Sequence, residues 1–90
     1  MRIHFSQQAV RDRRRLAAFL VDRNPPAALR AVTLISDGIA ELADTPRTGH
    51  GPDAARELYI RFGDSGYVVQ YRVDADVVVI ARIFHMREAR

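Results

Sequence analysis

The sequence predicts an α+β fold in which two helices cover one face of a mainly antiparallel sheet. Apolar residues recur with helical spacing in the first half of the chain and alternate with polar residues in the second half. Clusters of Gly, Pro, Asp and Asn separate these segments, so the predicted order is strand, helix, helix and then three strands. A chain of 90 residues is the length of one domain. We therefore expect a single domain over residues 1–90.

The first predicted elements are a short strand and a basic helix. Residues 2–5 alternate in polarity, with Ile3 and Phe5 on one face. Ser6 is a suitable N-cap for a helix that runs from Gln7 to about Asp22. The expected apolar face of this helix carries Ala9, Leu16, Phe19 and Leu20. Arginines cover much of the remaining surface, at positions 11, 13, 14 and 15.

A second helix is predicted directly after the first. Asn24 is the expected cap, and Pro25 and Pro26 fall in the first turn, where a helix tolerates a missing N–H. The apolar residues then step by four, three, four and three, at Ala28, Val32, Ile35, Ile39 and Leu42. Pro46 is predicted to stop the helix. The short connection favours an antiparallel helical hairpin.

Three strands are predicted after a loop at residues 45–55, and they form an antiparallel meander. The expected strands are residues 56–62, 67–73 and 77–84, with turns at 63–66 and 74–76. Because the last strand is apolar on both faces apart from Arg82, it is predicted to be central in the sheet. The face opposite the helices is expected to be partly open and to carry Tyr59, Arg61, Gln70 and Arg72.

The composition narrows the possible functions. All 14 basic residues are arginine and they outnumber 11 acids, which leaves a net charge of +3. Arginine binds carboxylates and phosphates in a bidentate manner but is a poor proton shuttle. Either a genomic bias towards arginine or an acidic partner, nucleic acid or protein, explains this excess. The absence of cysteine excludes disulfides and thiolate chemistry. No apolar run is long enough to span a membrane, so we expect a cytoplasmic protein.

A series of short motifs makes the whole chain resemble a known superfamily. These motifs are Phe5-Ser6, Asn24-Pro25, Leu42 with Pro46 and Gly49, Arg56-Glu57-Leu58, Tyr67 to Tyr71, and Arg82-Ile83-Phe84-His85. In this order and spacing they resemble the RelE/ParE superfamily of type II toxins, the toxic halves of toxin–antitoxin modules. The chain looks closest to the ParE-like branch.

The resemblance implies a toxin that is neutralised by a cognate antitoxin. ParE-like members are associated with poisoning DNA gyrase, and RelE-like members with cleaving mRNA on the ribosome. A shared fold does not fix the chemistry. The leading hypothesis is gyrase inhibition by protein binding, and the alternative is a ribosome-dependent mRNA endonuclease. A homologue without toxicity is a third possibility. The surface that binds the antitoxin is also expected to allow self-association into a homo-oligomer.

The predicted target-binding surface combines arginines and aromatic rings near the sheet: Tyr59, Arg61, Arg72, Arg82, His85 and Arg87. For the endonuclease alternative, the resemblance to RelE-like toxins suggests Arg61 and Arg87 as charge-stabilising groups, with His85 for proton transfer. The RelE lysines have no counterpart in this sequence, and no tyrosine follows the last strand up to Arg90. The alternative interpretation of His85 is structural: it caps or packs at the end of the sheet.

The remaining polar candidates have simpler explanations in the sequence. A related branch of ribosome-dependent toxins has a histidine near the C-terminus, usually with a glutamate, and that resemblance suggests Glu57 as the glutamate; pairing of Glu57 with Arg56 or Arg72 is the favoured expectation. The arginines at 13–15 are expected to form a solvated helix face. Tyr59 is a candidate for stacking on a base. His50 stands where similar sequences commonly have an arginine. Because the three histidines are far apart in the sequence, neither a metal site nor a cofactor is expected.

Overall fold

The computed structural model describes residues 1–88 and contains one four-stranded sheet with two helices packed on one of its faces. The elements are β1 (Arg2–Phe5), α1 (Gln7–Val21), α2 (Pro25–Glu41), β2 (Arg56–Phe62), β3 (Ser65–Asp74) and β4 (Val77–His85). The strand order is β1-β4-β3-β2, with β4 parallel to β1 and antiparallel to β3. The predicted fold class and the central position of the last strand are therefore confirmed.

One apolar core lies between the helices and the sheet. Alternate residues of β2, β3 and β4 supply its lower half, and α1 and α2 supply its upper half. The periodic face predicted for α2 is confirmed at Ile35, Ile39 and Leu42, which are at most 2% exposed, whereas Val32 is only half-buried. The prediction for Phe19 is wrong, since its ring is 58% exposed. Phe19 lies at the edge of the buried face of α1, where it borders an open groove and packs on the guanidinium of Arg23.

Several predicted boundaries shift because local hydrogen bonds end or extend the elements. Helix α2 ends at Glu41, not near Pro46, and the Thr45 hydroxyl donates to the Glu41 carbonyl oxygen. Strand β3 begins at Ser65, not Tyr67, because the turn needs only two residues between the paired Phe62 and Ser65. Gly63 permits this tight turn with a φ of +63°. Strand β4 extends through His85.

A buried tyrosine ties the loop before β2 to the sheet. The Tyr71 hydroxyl donates to the Pro46 carbonyl oxygen at 2.7 Å and accepts from the Gly49 N–H at 2.9 Å. A Cβ at Gly49 would lie 2.5 Å from that hydroxyl and 2.8 Å from the Glu57 carbonyl oxygen, so only glycine fits there. This anchor sets the backbone of the next residue, His50, which exchanges two 2.8 Å hydrogen bonds with Glu57.

We expect Tyr71→Phe to lower the free energy of unfolding by about 1–3 kcal/mol, because the Gly49 N–H is left buried without an acceptor. Urea denaturation monitored by circular dichroism measures the effect. The matched control is Tyr67→Phe, which removes a hydroxyl that does not tie a loop to the sheet and is expected to change stability less. Equal losses in the two variants would contradict this role for Tyr71.

Candidate functional site

A row of polar side chains crosses the sheet on the face away from the helices. His50 is paired with Glu57, Glu57 with Gln70, and Gln70 with Arg82. Directly opposed residues carry their side chains on the same face. Since the sequence neighbours of these residues, Leu58, Val69 and Ile83, belong to the core or pack against it, the row faces the other way. We call this surface the open face.

Glu57 accepts hydrogen bonds from two side chains, one at each carboxylate oxygen. The Tyr59 hydroxyl donates to its Oε1 at 2.7 Å, and the Gln70 Nε2 donates to its Oε2 at 2.9 Å. The rings of His50 and Tyr59 lie 6.2 Å apart, centroid to centroid. A carboxylate held at both oxygens, an imidazole and a phenol therefore meet on one part of the open face.

The expected pairing of Glu57 with Arg56 is not observed. Arg56 Nη2 instead binds Asp53 Oδ1 at 2.9 Å, and Arg56 Nη1 donates to the Gly49 carbonyl oxygen at 2.7 Å. Hydrogen bonds from Arg47 and then Arg56 hold the pKa of Asp53 below its ordinary value. Arg56 therefore stabilises the loop before β2 and does not pair with Glu57 on the sheet surface.

A cleft of about 510 Å³ separates the loop at residues 50–55 from the sheet. Its lining includes His50, Glu57, Gln70 and Arg72. Clefts of this volume suit a ligand of about nucleotide size. Arg72 and Arg61 are exposed, and within residues 1–88 neither forms an ion pair. The structure thus brings four of the six predicted target-binding residues, Tyr59, Arg61, Arg72 and Arg82, onto one face.

Arg82 lies on the same face but is bound to α1. Its Nε and Nη2 donate to the Asp12 carboxylate at 2.8 and 3.1 Å, and its guanidinium stacks on Phe84. The hydrogen bond to Asp12 is the main reason that the pKa of Arg82 is raised. Arg82 therefore connects the sheet to the first helix, and its charge is already compensated by Asp12.

Asp12 joins α1 to β4, a role that was not predicted from the sequence. It is 3% exposed and accepts a 2.8 Å hydrogen bond from the Ile83 N–H. Strand β1 pairs only with residues 77–80 of β4, so α1 covers the β4 edge beyond that point and Asp12 supplies the acceptor. Burial alone would raise the pKa of Asp12, but the hydrogen bonds from Arg82, Ile83 and Arg15 together lower it. Asp12 lies between Ala9 and Leu16 on the apolar face of α1, and this position in the sequence could have indicated that it is buried.

His85 and Arg87 lie elsewhere, beside a groove on the helix side of the sheet. Because His85 is paired with Tyr67, and Arg61 with Gly66, His85 and Arg61 point to opposite faces. The His85 Nδ1 accepts from the Arg87 N–H at 3.2 Å. The groove has a volume of about 610 Å³ and an apolar lining that includes Leu16, Phe19, Leu20, Phe62 and Tyr67. We call it the end groove.

An ion pair fixes the turn that follows β4. Arg15 Nη1 donates to both oxygens of Glu88, at 2.9 and 2.8 Å, and Glu88 also accepts from the His85 N–H at 3.1 Å. Burial alone would raise the pKa of Glu88, but these hydrogen bonds outweigh it and lower the pKa. Burial, with the charge of Glu88, raises the pKa of Tyr67, so its phenol stays protonated at neutral pH. The prediction that Arg15 is only solvated is therefore wrong.

We expect Glu88→Gln to reduce stability by about 0.5–1 kcal/mol at neutral pH, because the pair is partly exposed. A carboxylate with a lowered folded-state pKa stabilises the fold above its unfolded pKa, and this contribution is lost as the pH falls through the folded value. The free energies of unfolding of the variant and the wild type, measured by urea denaturation, should therefore become equal at acidic pH. A difference that is independent of pH would contradict the assignment. Glu41→Gln, at the exposed end of α2, is the control.

Residues 1–88 contain neither a cluster of metal ligands nor a helix that could span a membrane. Over these residues no three histidine or acidic side chains come together as metal ligands. None of the helices in this part of the chain is both long and apolar enough to cross a membrane.

Comparison with known proteins identifies similar toxins. The family model described as "ParE toxin of type II toxin-antitoxin system, parDE" matches residues 3–90. Toxin RelE3 of Caulobacter vibrioides is 44% identical over 89 residues, which cover 98% of this chain and 97% of that toxin. Toxin RelE1 of the same organism is 40% identical over 87 residues, with 94% and 92% covered.

Solved structures show the same fold at low sequence identity. A chain of the chromosomal ParDE system from P. aeruginosa matches with a TM-score of 0.79 and 22% identity, covering 94% of this chain and 95% of that one. A chain of the intact E. coli RelBE toxin–antitoxin complex matches with a TM-score of 0.64 and 17% identity, covering 97% and 98%.

Proposed function

The chain belongs to the ParE toxin family and is a toxin of the type II toxin–antitoxin class, and we propose that it cleaves messenger RNA on the ribosome through its open face. A cognate antitoxin holds it inactive. Cleavage takes place in the cytoplasm, where the ribosomes are. The RelE and ParE branches share the fold, so the choice of target depends on the site.

One observation carries the proposal: the Arg72 cation, the Glu57 carboxylate and the His50 imidazole belong to residues that line one cleft of the open face. Cleavage of RNA needs a base for the 2′-hydroxyl, an acid for the leaving oxygen and cations for the charge on phosphorus. Arg72 belongs to the same cleft lining as Glu57 and His50, and Arg61 is exposed on the same face. Two relatives that align over nearly the whole chain are named RelE toxins, which further supports RNA as the substrate.

The residues of the open face lead us to prefer mRNA cleavage to gyrase inhibition, which is the leading hypothesis from the sequence alone. Gyrase inhibition ranked first because the lysines and the C-terminal tyrosine of RelE-like sites have no counterpart. His50 and Glu57 now offer a different proton-transfer set in the cleft. His85 points away from Arg61, so the endonuclease trio of Arg61, His85 and Arg87 does not share one face.

Inhibition of DNA gyrase by protein binding remains a second candidate, favoured by two observations. The fold is similar to that of a chain from a ParDE system. Tyr59, which is 48% exposed, lies beside Arg61 on the open face, and Tyr and Arg are the residues that most often dominate binding energy at protein interfaces. A protein interface of this kind needs no proton transfer.

The end groove is the surface that we assign to a partner protein. Both structural neighbours come from toxin–antitoxin systems. Phe19 exposes more than half of its surface in the largely apolar lining of this groove, and exposed apolar patches mark interaction sites. The cognate antitoxin is the expected occupant. In its absence, self-association into a homo-oligomer would cover the same surface.

Two assays with the purified toxin separate the candidate targets. One incubates the toxin with ribosomes programmed with a defined mRNA, and the other with gyrase and supercoiled plasmid. We expect cleaved mRNA and unaffected gyrase, with cleavage blocked by the cognate antitoxin. Intact mRNA together with inhibited gyrase would reverse the assignment. Size-exclusion chromatography of the toxin with the cognate antitoxin tests their complex independently.

A further inference from the structure

We propose that Glu57 and His50 are the general base and general acid of RNA cleavage in the cleft of the open face. This assignment rests on the proposed function and names the residues that perform it. Neither residue belongs to the set Arg61, His85 and Arg87 suggested by resemblance. The backbone pairing of residues 50 and 57 brings their side chains together.

The backbone places the two side chains side by side. His50 and Glu57 exchange two hydrogen bonds of 2.8 Å, N–H to carbonyl oxygen in each direction. Opposed residues of this kind have Cβ atoms about 4.5–5.5 Å apart on one face of a sheet. Both residues line the same cleft. A substrate atom in the cleft is therefore within reach of the carboxylate and of the imidazole.

The position of His50 is fixed although its side chain is exposed. The residue before it, Gly49, donates its N–H to the Tyr71 hydroxyl at 2.9 Å and accepts from Arg56 Nη1 at 2.7 Å. The Tyr71 hydroxyl is buried against β2 and the loop, so the imidazole is carried on an anchored segment. With its backbone fixed, only the side-chain torsions of His50 have to be ordered when substrate binds.

The Glu57 carboxylate is also held in one orientation. Tyr59 and Gln70 donate to its two oxygens at 2.7 and 2.9 Å, from the same strand and from the neighbouring strand. A carboxylate oxygen has two lone pairs and can accept more than one hydrogen bond. The two donors orient a carboxylate that lines the cleft, where it can act as a base toward a substrate hydroxyl.

The reaction is an internal transesterification that needs no co-reactant. Glu57 removes the proton of the 2′-hydroxyl, and the 2′-oxygen forms a bond to the adjacent phosphorus. The bond from phosphorus to the 5′-oxygen breaks, and that oxygen takes a proton from the His50 imidazolium. The products are a 2′,3′-cyclic phosphate and a 5′-hydroxyl. Imidazole exchanges protons near neutral pH, which suits the acid role.

The test compares Glu57→Gln and His50→Asn with two matched controls. Glu41→Gln removes an exposed carboxylate from the end of α2, and His4→Asn removes an exposed imidazole from β1 at the opposite edge of the sheet. Single-turnover cleavage is measured on programmed ribosomes as a function of pH. Each site variant should lose about 10²–10⁴-fold in rate and the corresponding limb of the pH–rate profile. The controls should retain the wild-type rate and profile.

The products and the fold are checked in the same experiment. Cleavage by the wild type should leave a 2′,3′-cyclic phosphate, and an mRNA with 2′-deoxyribose at the scissile position should stay intact. Circular dichroism and antitoxin binding show whether each variant is folded. If the wild type cleaves and both folded variants cleave equally well, this assignment fails while the proposed function stands. A wild type that leaves mRNA intact on the ribosome overturns both.

Discussion

Asp12→Ala is expected to lower the free energy of unfolding by about 2–4 kcal/mol, because it leaves the buried Ile83 N–H without its acceptor and removes ion pairs with the partly exposed Arg82 and Arg15. The carboxylate is 3% exposed and accepts from Arg82, from Arg15 and from the Ile83 N–H. A domain of this size is stable by only about 5–15 kcal/mol. The variant should therefore lose a large part of its stability, as measured by urea denaturation.

Two further variants make the Asp12 prediction specific. Asp12→Asn keeps an acceptor for the Ile83 N–H but loses the negative charge, so its loss should be smaller than that of the alanine variant. Asp37→Ala is the control, because Asp37 is exposed on α2 and surface substitutions usually change stability by less than about 0.5 kcal/mol. A loss in Asp12→Ala no larger than in Asp37→Ala would show that the carboxylate does not hold α1 to β4.

The pH dependence of stability gives an independent check on Asp12. Its pKa in the folded state is lowered, since the hydrogen bonds that it accepts outweigh the effect of burial. Its contribution is therefore present above the unfolded pKa and is lost as the pH falls through the folded value. The difference between wild type and Asp12→Asn should shrink over that acidic range. Glu88 adds a second contribution of the same sign.

The elements of the fold were predictable because their signals are local. The spacing of Ile35, Ile39 and Leu42 is a property of one helix, and the N-caps at Ser6 and Asn24 accept hydrogen bonds from residues only three positions away. Pairing of β1 with β4 was not predicted, because the paired residues are separated by 75 positions, as Arg2 and Val77 are. Without that pairing, the sequence does not show that β1 is too short to pair with all of β4, or that α1 has to cover the remaining edge of β4.

The candidate site was predictable only in part, for the same reason. Strand alternation correctly assigned Tyr59, Arg61 and Arg72 to one face, since that assignment needs only the order of residues within a strand. His85 looked equivalent, but its face depends on the register with Tyr67 and on an irregularity in the pairing of β3 with β4 near residues 70 and 71. His50 lies in a loop in the sequence, and a single bridge to Glu57 joins it to the sheet.

Arg72→Ala is expected to reduce mRNA cleavage by about 10²–10³-fold, because one preorganised donor to the charge on phosphorus has an effect of this size. Arg72 lines the cleft, and within residues 1–88 no acid neutralises it. Arg72→Lys should recover only part of the rate, since an ammonium keeps the charge but lacks the planar fork. Arg14→Ala, at an exposed position of α1, is the matched control.

The Arg72 variant also distinguishes the two faces of the sheet. The Arg72 guanidinium could bind either a phosphate or an acidic protein surface. Its removal in Arg72→Ala should therefore abolish activity for either target. Glu57→Gln leaves the cations in place, so it should stop RNA cleavage yet permit inhibition of gyrase by binding. If Arg72→Ala keeps full activity while Arg87→Ala loses it, the functional surface is the end groove, and the open face has no part in toxicity.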